Sequence, residues 1–412
     1  MTTDADPDVA GSQLPILHET IYDSSGRSVA TRTGTDGGGT WICAAYDTRG
    51  RVTTVSYPAY GGAPARTVTN DYAVGGNPLV TSVTDPAGTI TTTVDLLGRA
   101  SSSTDVWGKT TTATYNQAGQ VTTRVTPGPT YNYTYDAAGR LETLANGANV
   151  LADPHYDSVG RMDSVAYPAS GGGGGNGTTG SFTYDTNGRA ATVTWRQPDN
   201  AVITSDAVTA RDLAGRITDQ TIDGVDPYAT GANYVYDNAG RLTTARITGH
   251  TYSYNFAATG GCGTLATAGK NTNRTSMVDN STTTSYCYDN ADRLTSATDT
   301  AVGTITYDDH GNSTAIFGET HGYDAADRHL STVKGSTDVT YTRNALDGIV
   351  ERNVNGSTVA RYSNAGASFT LDIANNIVET IVSLPGGVLL TDRDTSGTVW
   401  SYPNLHGSVV AT

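Results

Sequence analysis

The feature that most constrains the fold of this 412-residue chain is a six-residue motif, Tyr-Asp-x-x-Gly-Arg, which returns along most of its length. Six copies are complete and have these members: Tyr22, Asp23, Gly26 and Arg27; Tyr46, Asp47, Gly50 and Arg51; Tyr135, Asp136, Gly139 and Arg140; Tyr156, Asp157, Gly160 and Arg161; Tyr184, Asp185, Gly188 and Arg189; Tyr236, Asp237, Gly240 and Arg241. Copies that lack one or more members begin at Val94, Tyr115, Arg211, Tyr288, Tyr307 and Tyr323. Between the complete copies, Asp85, Asp95, Asp105 and Asn116 follow at steps of 10, 10 and 11 residues. The unit is therefore one strand and one turn, which is too short for a helical repeat.

Each member of the motif has a mechanical role in a β-hairpin. Asp favours the first position of a type I turn, because its carboxylate accepts backbone N–H groups two residues later. Gly three residues on fits the left-handed position of a hairpin loop that ends in a bulge. Asp292 and Asp327 replace this Gly, and Asp tolerates that conformation better than most residues. The Tyr precedes the turn and the Arg follows it, so we expect them to stack on neighbouring hairpins, with the Arg over a ring or against an Asp.

The number of these turns predicts a structural role, since so many near-identical sites cannot each be a catalytic centre. A ladder of Tyr and Arg side chains that binds sugar or peptide is the functional alternative. The sequence contains no Gly-x-Ser-x-Gly elbow, phosphate-binding loop or Cys-x-x-Cys pair. We therefore predict no enzyme activity, no catalytic residue, no cofactor and no metal site.

The composition predicts an all-β fold of repeated antiparallel hairpins. The chain has 24 Tyr against only 4 Phe and 4 Trp, and its strands are rich in Thr. Thr and Tyr favour strands, and the 48 Gly residues weaken helices. Strands such as Thr-Thr-Thr-Ala-Thr-Tyr suit a sheet with water near both faces, because these residues combine β-propensity with a polar tip.

The net charge of the chain limits the classes of partner that it can bind. Lys and Arg number 25 and Asp and Glu number 40, which gives a net charge of −15. Nucleic acids and anionic membranes select for basic surfaces, so we exclude both as main partners. No apolar run reaches the ~18 residues that a membrane span needs. No signal peptide is recognisable in the acidic N-terminus, because it has no apolar segment of the kind that such peptides contain, and we expect none in this sequence.

The domain organisation is dominated by the repeat. We predict a disordered or capping segment over 1–20 and a repeat array over 21–412. Within the array, 170–180 is expected to be a flexible, Gly-rich surface loop, and 257–285 an insertion between hairpins. Cys262 and Cys287 flank that insertion, so a disulfide between them is one hypothesis and two unpaired thiols are the other. Cys43 is expected to be free.

Two short acidic segments could suggest a metal. Asp392-Arg-Asp394-Thr-Ser396-Gly397 resembles the start of a calcium loop, but position twelve is Pro403 rather than Glu. Asp308, Asp309 and His310 share one turn, without an identified further ligand. We predict ordinary turns at both places.

The repeated Tyr-Asp-x-x-Gly-Arg turns resemble the Rhs or YD-repeat family, which includes polymorphic bacterial toxins, the C component of insecticidal toxin complexes and the YD shell of teneurins. The resemblance covers about residues 20–412. It implies β-hairpins that spiral into a hollow shell around a polypeptide. In bacterial members the array ends in a self-cleaving core rich in Asp-Pro-x-Gly, which is absent here. The resemblance therefore carries over no cleavage residue and implies a shell truncated before that core.

The expected function is a non-enzymatic structural shell segment that encapsulates or presents a C-terminal toxin. Its expected partners are a polypeptide cargo or the remaining shell segment. The alternative is a cell-surface adhesin that binds carbohydrate through the Tyr-rich ladder. The resemblance also implies a secreted or cell-surface location.

Overall fold

The computed structural model describes residues 2–5, 16–34, 39–259, 262–364 and 368–412. Most of the segment 1–20, with its expected disordered or capping role, lies outside these residues, as do Gly260 and Gly261 of the expected insertion. Within the described residues the chain is all-β and built from antiparallel hairpins, which confirms the predicted fold class. The strand β2 (Leu17–Tyr22) begins before residue 21, where the repeat array was expected to start.

The strands follow the chain in four runs. The first contains β1 (Thr2–Ala5), β2, β3 (Ser28–Gly34), β4 (Ile42–Tyr46), β5 (Val52–Tyr57), β6 (Arg66–Asp71), β7 (Val80–Asp85) and β8 (Gly88–Val94). The second contains β9 (Ala100–Thr104), β10 (Thr110–Tyr115), β11 (Val121–Val125), β12 (Thr130–Tyr135), β13 (Leu141–Asn146), β14 (Asn149–Tyr156), β15 (Met162–Ala166), β16 (Thr179–Tyr184), β17 (Ala190–Arg196), β18 (Val202–Arg211) and β19 (Ile217–Ile222).

The third run contains β20 (Tyr234–Tyr236), β21 (Leu242–Ile247), β22 (His250–Asn255), β23 (Cys262–Gly263), β24 (Ser276–Asp279), β25 (Thr282–Tyr288) and β26 (Leu294–Ala297). The fourth contains β27 (Thr306–Tyr307), β28 (Ser313–Ile316), β29 (Glu319–Tyr323), β30 (His329–Lys334), β31 (Thr337–Arg343), β32 (Ile349–Val354), β33 (Ser357–Ser363), β34 (Ser368–Leu371), β35 (Ile377–Ser383), β36 (Leu389–Arg393), β37 (Gly397–Pro403) and β38 (Val409–Ala411). Four short 3-10 turns accompany them at Val74–Gly76, Ala268–Asn271, Thr300–Val302 and Pro385–Gly387. Across the described ranges, no helix has the length and apolar character that a membrane crossing requires.

The chain packs into two compact units. Unit 1 comprises Met1–Ile90, Tyr236–Ala245 and His250–Ala360, and unit 2 comprises Thr91–Val235, Arg246–Gly249 and Arg361–Thr412. In unit 1, β1 to β7 pair in sequence, and so do β27 to β32. In unit 2, the same pattern holds for β9 to β19 and for β34 to β38. Because each strand pairs with its sequence neighbour, the motif turns of alternate connections fall side by side along one edge of the sheet.

Unit 2 contains an aromatic core that the composition did not indicate. The Trp195 ring is fully buried and lies edge-on to Phe182, with centroids 5.6 Å apart. Its indole N–H donates to the Pro403 carbonyl at 2.7 Å. The Tyr167 hydroxyl donates to the Pro385 carbonyl at 2.5 Å. These bonds join β15 to β17 with the segment around β36 and β37, more than 200 residues later, and the polar ends of the rings are satisfied where they are buried.

The Gly-rich segment 170–180 packs against this core. Its tip at Gly171 and Gly172 is exposed, but Gly174 N donates to the Val150 carbonyl and Gly175 N to the Pro168 carbonyl. A Cβ on Gly175 would lie 2.4 Å from the Tyr167 carbonyl carbon, so the backbone approach requires glycine there. The segment thus lies at the surface, as predicted for a loop, and its glycines beyond the tip also allow close backbone packing. Its flexibility stays a prediction.

The expected insertion 257–285 is also shorter than the sequence indicated. Its second part forms β24 and the beginning of β25, and β22 pairs with β24 as in any other hairpin. The excursion is confined to the residues between Asn255 and Ser276, where it contains β23 and one 3-10 turn. The length of the insertion was overestimated because this stretch lacks the motif, although its strands β24 and β25 still pair within the sheet.

We expect Trp195→Ala to lower the free energy of unfolding of unit 2 by about 3–5 kcal/mol, because it removes a fully buried ring and leaves a cavity. Urea unfolding followed by far-UV circular dichroism measures this loss. Val202→Ala is the control, since Val202 is 49% exposed and its truncation should cost less than about 0.5 kcal/mol. Equal losses in the two variants would contradict the assignment of the core.

Candidate functional site: the motif ladder

The Asp of the motif organises each turn. Asp23 Oδ1 accepts the backbone N–H groups of Ser25 at 2.8 Å and of Arg27 at 3.0 Å. The loop is closed by Gly26 N, which donates to the Asp23 carbonyl at 3.0 Å. Gly26 has φ +77°, and the equivalent glycines of all six complete motifs lie between +77° and +88°. In each complete motif from Tyr22 to Tyr184 the register shifts by one residue at the Tyr, which is the predicted bulge.

The Arg of the motif closes the turn with its side chain. Arg27 Nε and Nη2 both donate to Asp23 Oδ2 at 2.7 Å. The six complete motifs all carry this ion pair, at 2.7 to 3.0 Å. The backbone and guanidinium hydrogen bonds from Arg27 lower the pKa of the Asp23 carboxyl. Each turn is thus held by an ionised, locally neutralised Asp–Arg pair.

The Tyr of the motif connects one hairpin to the next. The guanidinium of Arg161 lies 4.3 Å from the centre of the Tyr184 ring, and that of Arg140 lies 4.6 Å from the Tyr156 ring. The Tyr184 hydroxyl donates to the Met162 carbonyl at 2.7 Å, immediately after Arg161. The same pair of contacts joins Arg27 to Tyr46, whose hydroxyl donates to Ser28. We call these repeated Asp, Arg and Tyr contacts the motif ladder.

At two turns an Arg takes the place of the motif Tyr, which the sequence did not reveal. Arg211 stands where the motif has Tyr, and its Nη2 donates to the Ala190 carbonyl at 2.8 Å, in the place of the Tyr hydroxyl. Arg343 does the same toward the His329 carbonyl at 2.8 Å. Asp292 and Asp327 have φ +59° and +58°, so they adopt the left-handed conformation predicted for them in place of Gly.

Three further turns of this type were missed by the sequence reasoning. Asn344, Asp372 and Asn404 each accept the backbone N–H groups two and four residues later. The available signal was an Asp or Asn followed three residues later by a residue that tolerates positive φ.

The complete motif that begins at Tyr236 is also in place, since Arg241 pairs with Asp237 and lies over the Phe256 ring at 4.5 Å.

The turn of Asp308, Asp309 and His310 is a packing contact within unit 1. The His310 ring stacks on Tyr60 with centroids 4.0 Å apart, and His310 Nδ1 lies 2.6 Å from Asp327 Oδ1. Burial disfavours the imidazolium, but the hydrogen bond to Asp327 and the charges of Asp327, Asp308 and Asp309 outweigh it and raise the pKa of His310. Beside it, the Arg66 guanidinium donates to Asp324 Oδ2 at 3.3 Å.

The other segments that the sequence singled out, the calcium-loop-like segment and the cysteines, have structural roles. Asp392 lies in β36 and pairs with Thr398 of β37, so the resemblance to a calcium loop corresponds to a tight hairpin. Throughout the described part of the chain, no three His, Cys, Asp or Glu side chains are grouped so that they could hold a metal ion. Cys262 and Cys287 form a disulfide with Cα atoms 4.6 Å apart, while Cys43 is exposed and outside any disulfide.

No protein-family model and no curated protein sequence matches the chain. Solved structures do: one chain in the crystal structure of TcdB2-TccC3-Cdc42 is 14% identical with a TM-score of 0.58, over 98% of this chain and 26% of that chain. The corresponding chain of TcdB2-TccC3 is 12% identical with a TM-score of 0.57, over 98% of this chain and 27% of that one. TcdB2-TccC3 without its hypervariable C-terminal region gives 13% identity and a TM-score of 0.51, over 99% of this chain and 26% of that one. The similarity is therefore one of fold, and this chain spans about a quarter of the length of those it matches.

We expect Tyr184→Phe to lower the free energy of unfolding by about 0.5–1.5 kcal/mol, because it removes the hydrogen bond to Met162 and keeps the ring under Arg161. Thermal or urea unfolding measures the change. Tyr252→Phe is the matched control, since Tyr252 Oη has no hydrogen-bond partner within the described ranges. If both variants have the same free energy of unfolding, the hydrogen bond from the Tyr184 hydroxyl to Met162 contributes nothing to stability.

The His310 contact predicts a pH dependence. Its raised folded pKa means that protonated His310 stabilises unit 1 below about pH 6.5, and that this contribution is lost as the pH rises through the raised value. His310→Gln should therefore destabilise most near pH 6, and its difference from the wild type should shrink toward pH 9, to a remainder that reports the lost stacking on Tyr60. Thermal unfolding across this range tests it, with the exposed His155→Gln as control. A difference that grows with pH would contradict the assignment.

Proposed function

We propose that this chain is a structural segment of a non-enzymatic β-hairpin shell of the Rhs or YD-repeat kind, which encloses a polypeptide. The observation that carries the proposal is the motif ladder. In it the carboxylates, guanidiniums and Tyr hydroxyls of the repeat bond to one another and to the backbone, and so they hold neighbouring hairpins side by side in the sheet.

The sheet surface supports the proposal, because it is polar where a globular sheet would be apolar. Cross-strand Thr pairs bond through their hydroxyls, as in Thr104 with Thr110 at 2.8 Å and Thr134 with Thr143 at 2.8 Å, and these pairs are exposed. Many strand residues are half-buried rather than buried, for example all but the last of those in β11. Such a sheet tolerates water on it, which suits a wall between solvent and an enclosed chain.

The solved structures of similar fold also support the proposed shell role. Their fold is similar over nearly the whole of this chain, and the name of one of them refers to a hypervariable C-terminal region. We extend this to the present protein as a proposal: its partner is a polypeptide cargo or a further shell segment, and its location is secreted or cell-surface. Carbohydrate binding through the ladder is less well supported, since Tyr46, Tyr156 and Tyr184 each carry a guanidinium on one face and use the hydroxyl for a backbone bond.

The test is protection of an attached polypeptide. A flexible, trypsin-sensitive reporter is placed after Thr412, and its cleavage is compared with that of the same reporter alone. We expect slower cleavage in the folded chain, because the wall excludes protease, and recovery of the free rate at the urea concentration that unfolds the sheet.

The control separates enclosure from mere tethering. The same reporter is attached to the chain carrying Asp136→Ala, Asp157→Ala and Asp185→Ala, which break three adjacent turns, and protection should fall. Cleavage at the free rate in the folded wild type would refute enclosure. Binding to immobilised glycans that disappears in Tyr46→Ala and Tyr184→Ala would instead favour the adhesin.

A further inference from the structure

Six turns of unit 2 lie side by side along one edge of the sheet. Consecutive hairpins are joined by contacts of the motif ladder, such as Arg99 over the Tyr115 ring and Gln120 Nε2 donating to the Gly139 carbonyl. The two residues between the Asp or Asn and the Gly form the tip of each turn, and all of these tips are exposed. We call them the turn rim, and its members are Leu96, Leu97, Gln117, Ala118, Ala137, Ala138, Ser158, Val159, Thr186, Asn187, Leu213 and Ala214.

The turn rim differs from the rest of this acidic chain in charge and polarity. None of its twelve side chains is charged, and eight are apolar, although the chain carries a net charge of −15. Its large apolar members are strongly exposed, with Leu213 at 109%, Leu96 at 90% and Leu97 at 77%. The Asp residues beside the tips are neutralised by their Arg partners. Depletion of charge around exposed apolar side chains is typical of the core of a protein interface.

The same unit shows what an apolar tip does when another hairpin faces it. Trp107 is a tip residue of the turn at Asp105, and its Nε1 donates to the Tyr362 carbonyl at 3.1 Å. The ring packs against Phe369 and lies under the Arg361 guanidinium at 4.6 Å. Leu405, in the turn at Asn404, likewise packs against the aromatic core, and its backbone N–H donates to Asp206 at 3.1 Å. An apolar tip in this fold is therefore a contact point for another hairpin of the same kind.

We propose that the turn rim docks against a second run of hairpins, which a second copy of this chain supplies. The internal contacts of Trp107 and Leu405 provide the pattern, and the absence of charge on the rim lets two acidic copies approach there without like-charge repulsion. The inference rests on the proposed function, because it names a partner of the shell segment.

Self-association of the full chain tests the proposal. Sedimentation velocity at rising protein concentration should show a reversible shift toward the dimer. The triple variant Leu96→Ser, Leu97→Ser and Leu213→Ser should weaken that association by about tenfold or more, because it removes the apolar contact. Thermal unfolding should leave the variant at the wild-type midpoint, since all three side chains are exposed.

A matched control and a second readout identify the surface. Val202→Ser with Val225→Ser removes exposed apolar side chains of unit 2 that lie off the turn rim, and it should associate like the wild type. In a Cys43→Ser background, a thiol reagent should label Leu213→Cys more slowly as the protein concentration rises, whereas it should label Val202→Cys at an unchanged rate.

Several outcomes would overturn the proposal. A wild type that stays monomeric overturns it, and so does association that survives the triple variant. A rim that captures only the reporter polypeptide would show that cargo, not a second copy, is its occupant. The reporter cleavage described above does not depend on the Leu substitutions. The proposal of enclosure and the proposal of self-association can therefore be refuted independently of each other.

Discussion

The ion pair between Asp and Arg in each complete motif turn is the interaction on which the rest of the structure depends. An exposed ion pair of this kind is worth little by itself. Here the other carboxylate oxygen of the Asp accepts two backbone N–H groups of the loop, as Asp136 Oδ1 does from Ala138 and Arg140. The Arg is thereby fixed in the position where it covers the Tyr of the next hairpin. One local bond therefore sets both the turn and the contact between repeats, and stability is spread along the chain as in other repeat proteins.

The sequence predicts what is local and misses what is distant. The turn, the left-handed Gly and the bulge follow from residues within one repeat, and the Arg–Tyr stacking follows from two successive repeats; the structure contains all of them. The roles of Arg211 and Arg343 were not predictable, because the position requires a hydrogen-bond donor at a certain place and not a particular residue type. The bond from Trp195 to Pro403 and the stacking of Tyr60 on His310 join segments more than 200 residues apart, which no short-range pattern encodes.

Glycine has two different structural uses in this chain, which composition alone does not distinguish. In the motif a Gly marks freedom of φ, and there the prediction was sound. In the segment after Pro168 the glycines mark close packing, because a Cβ on Gly173 would lie 2.1 Å from the Pro168 carbonyl oxygen. Both uses look alike in the sequence. They differ in whether a buried surface lies opposite, and that surface is formed by Tyr167 and its neighbours in the aromatic core.

A sheet held together in this way has polar faces, and these faces offer few apolar contacts to a further protein segment. Exposed Thr pairs such as Thr114 with Thr122 present hydroxyls that already bond to each other. The backbone groups are paired along each sheet, and the charged groups of the motif are paired within each turn. What varies freely from repeat to repeat is the tip of the turn, since its two side chains have no part in closing the loop. Substitutions at the tips can therefore change contacts with another segment without disturbing the ladder, and the exposed, apolar side chains of Leu96, Leu97 and Leu213 are suited to such contacts.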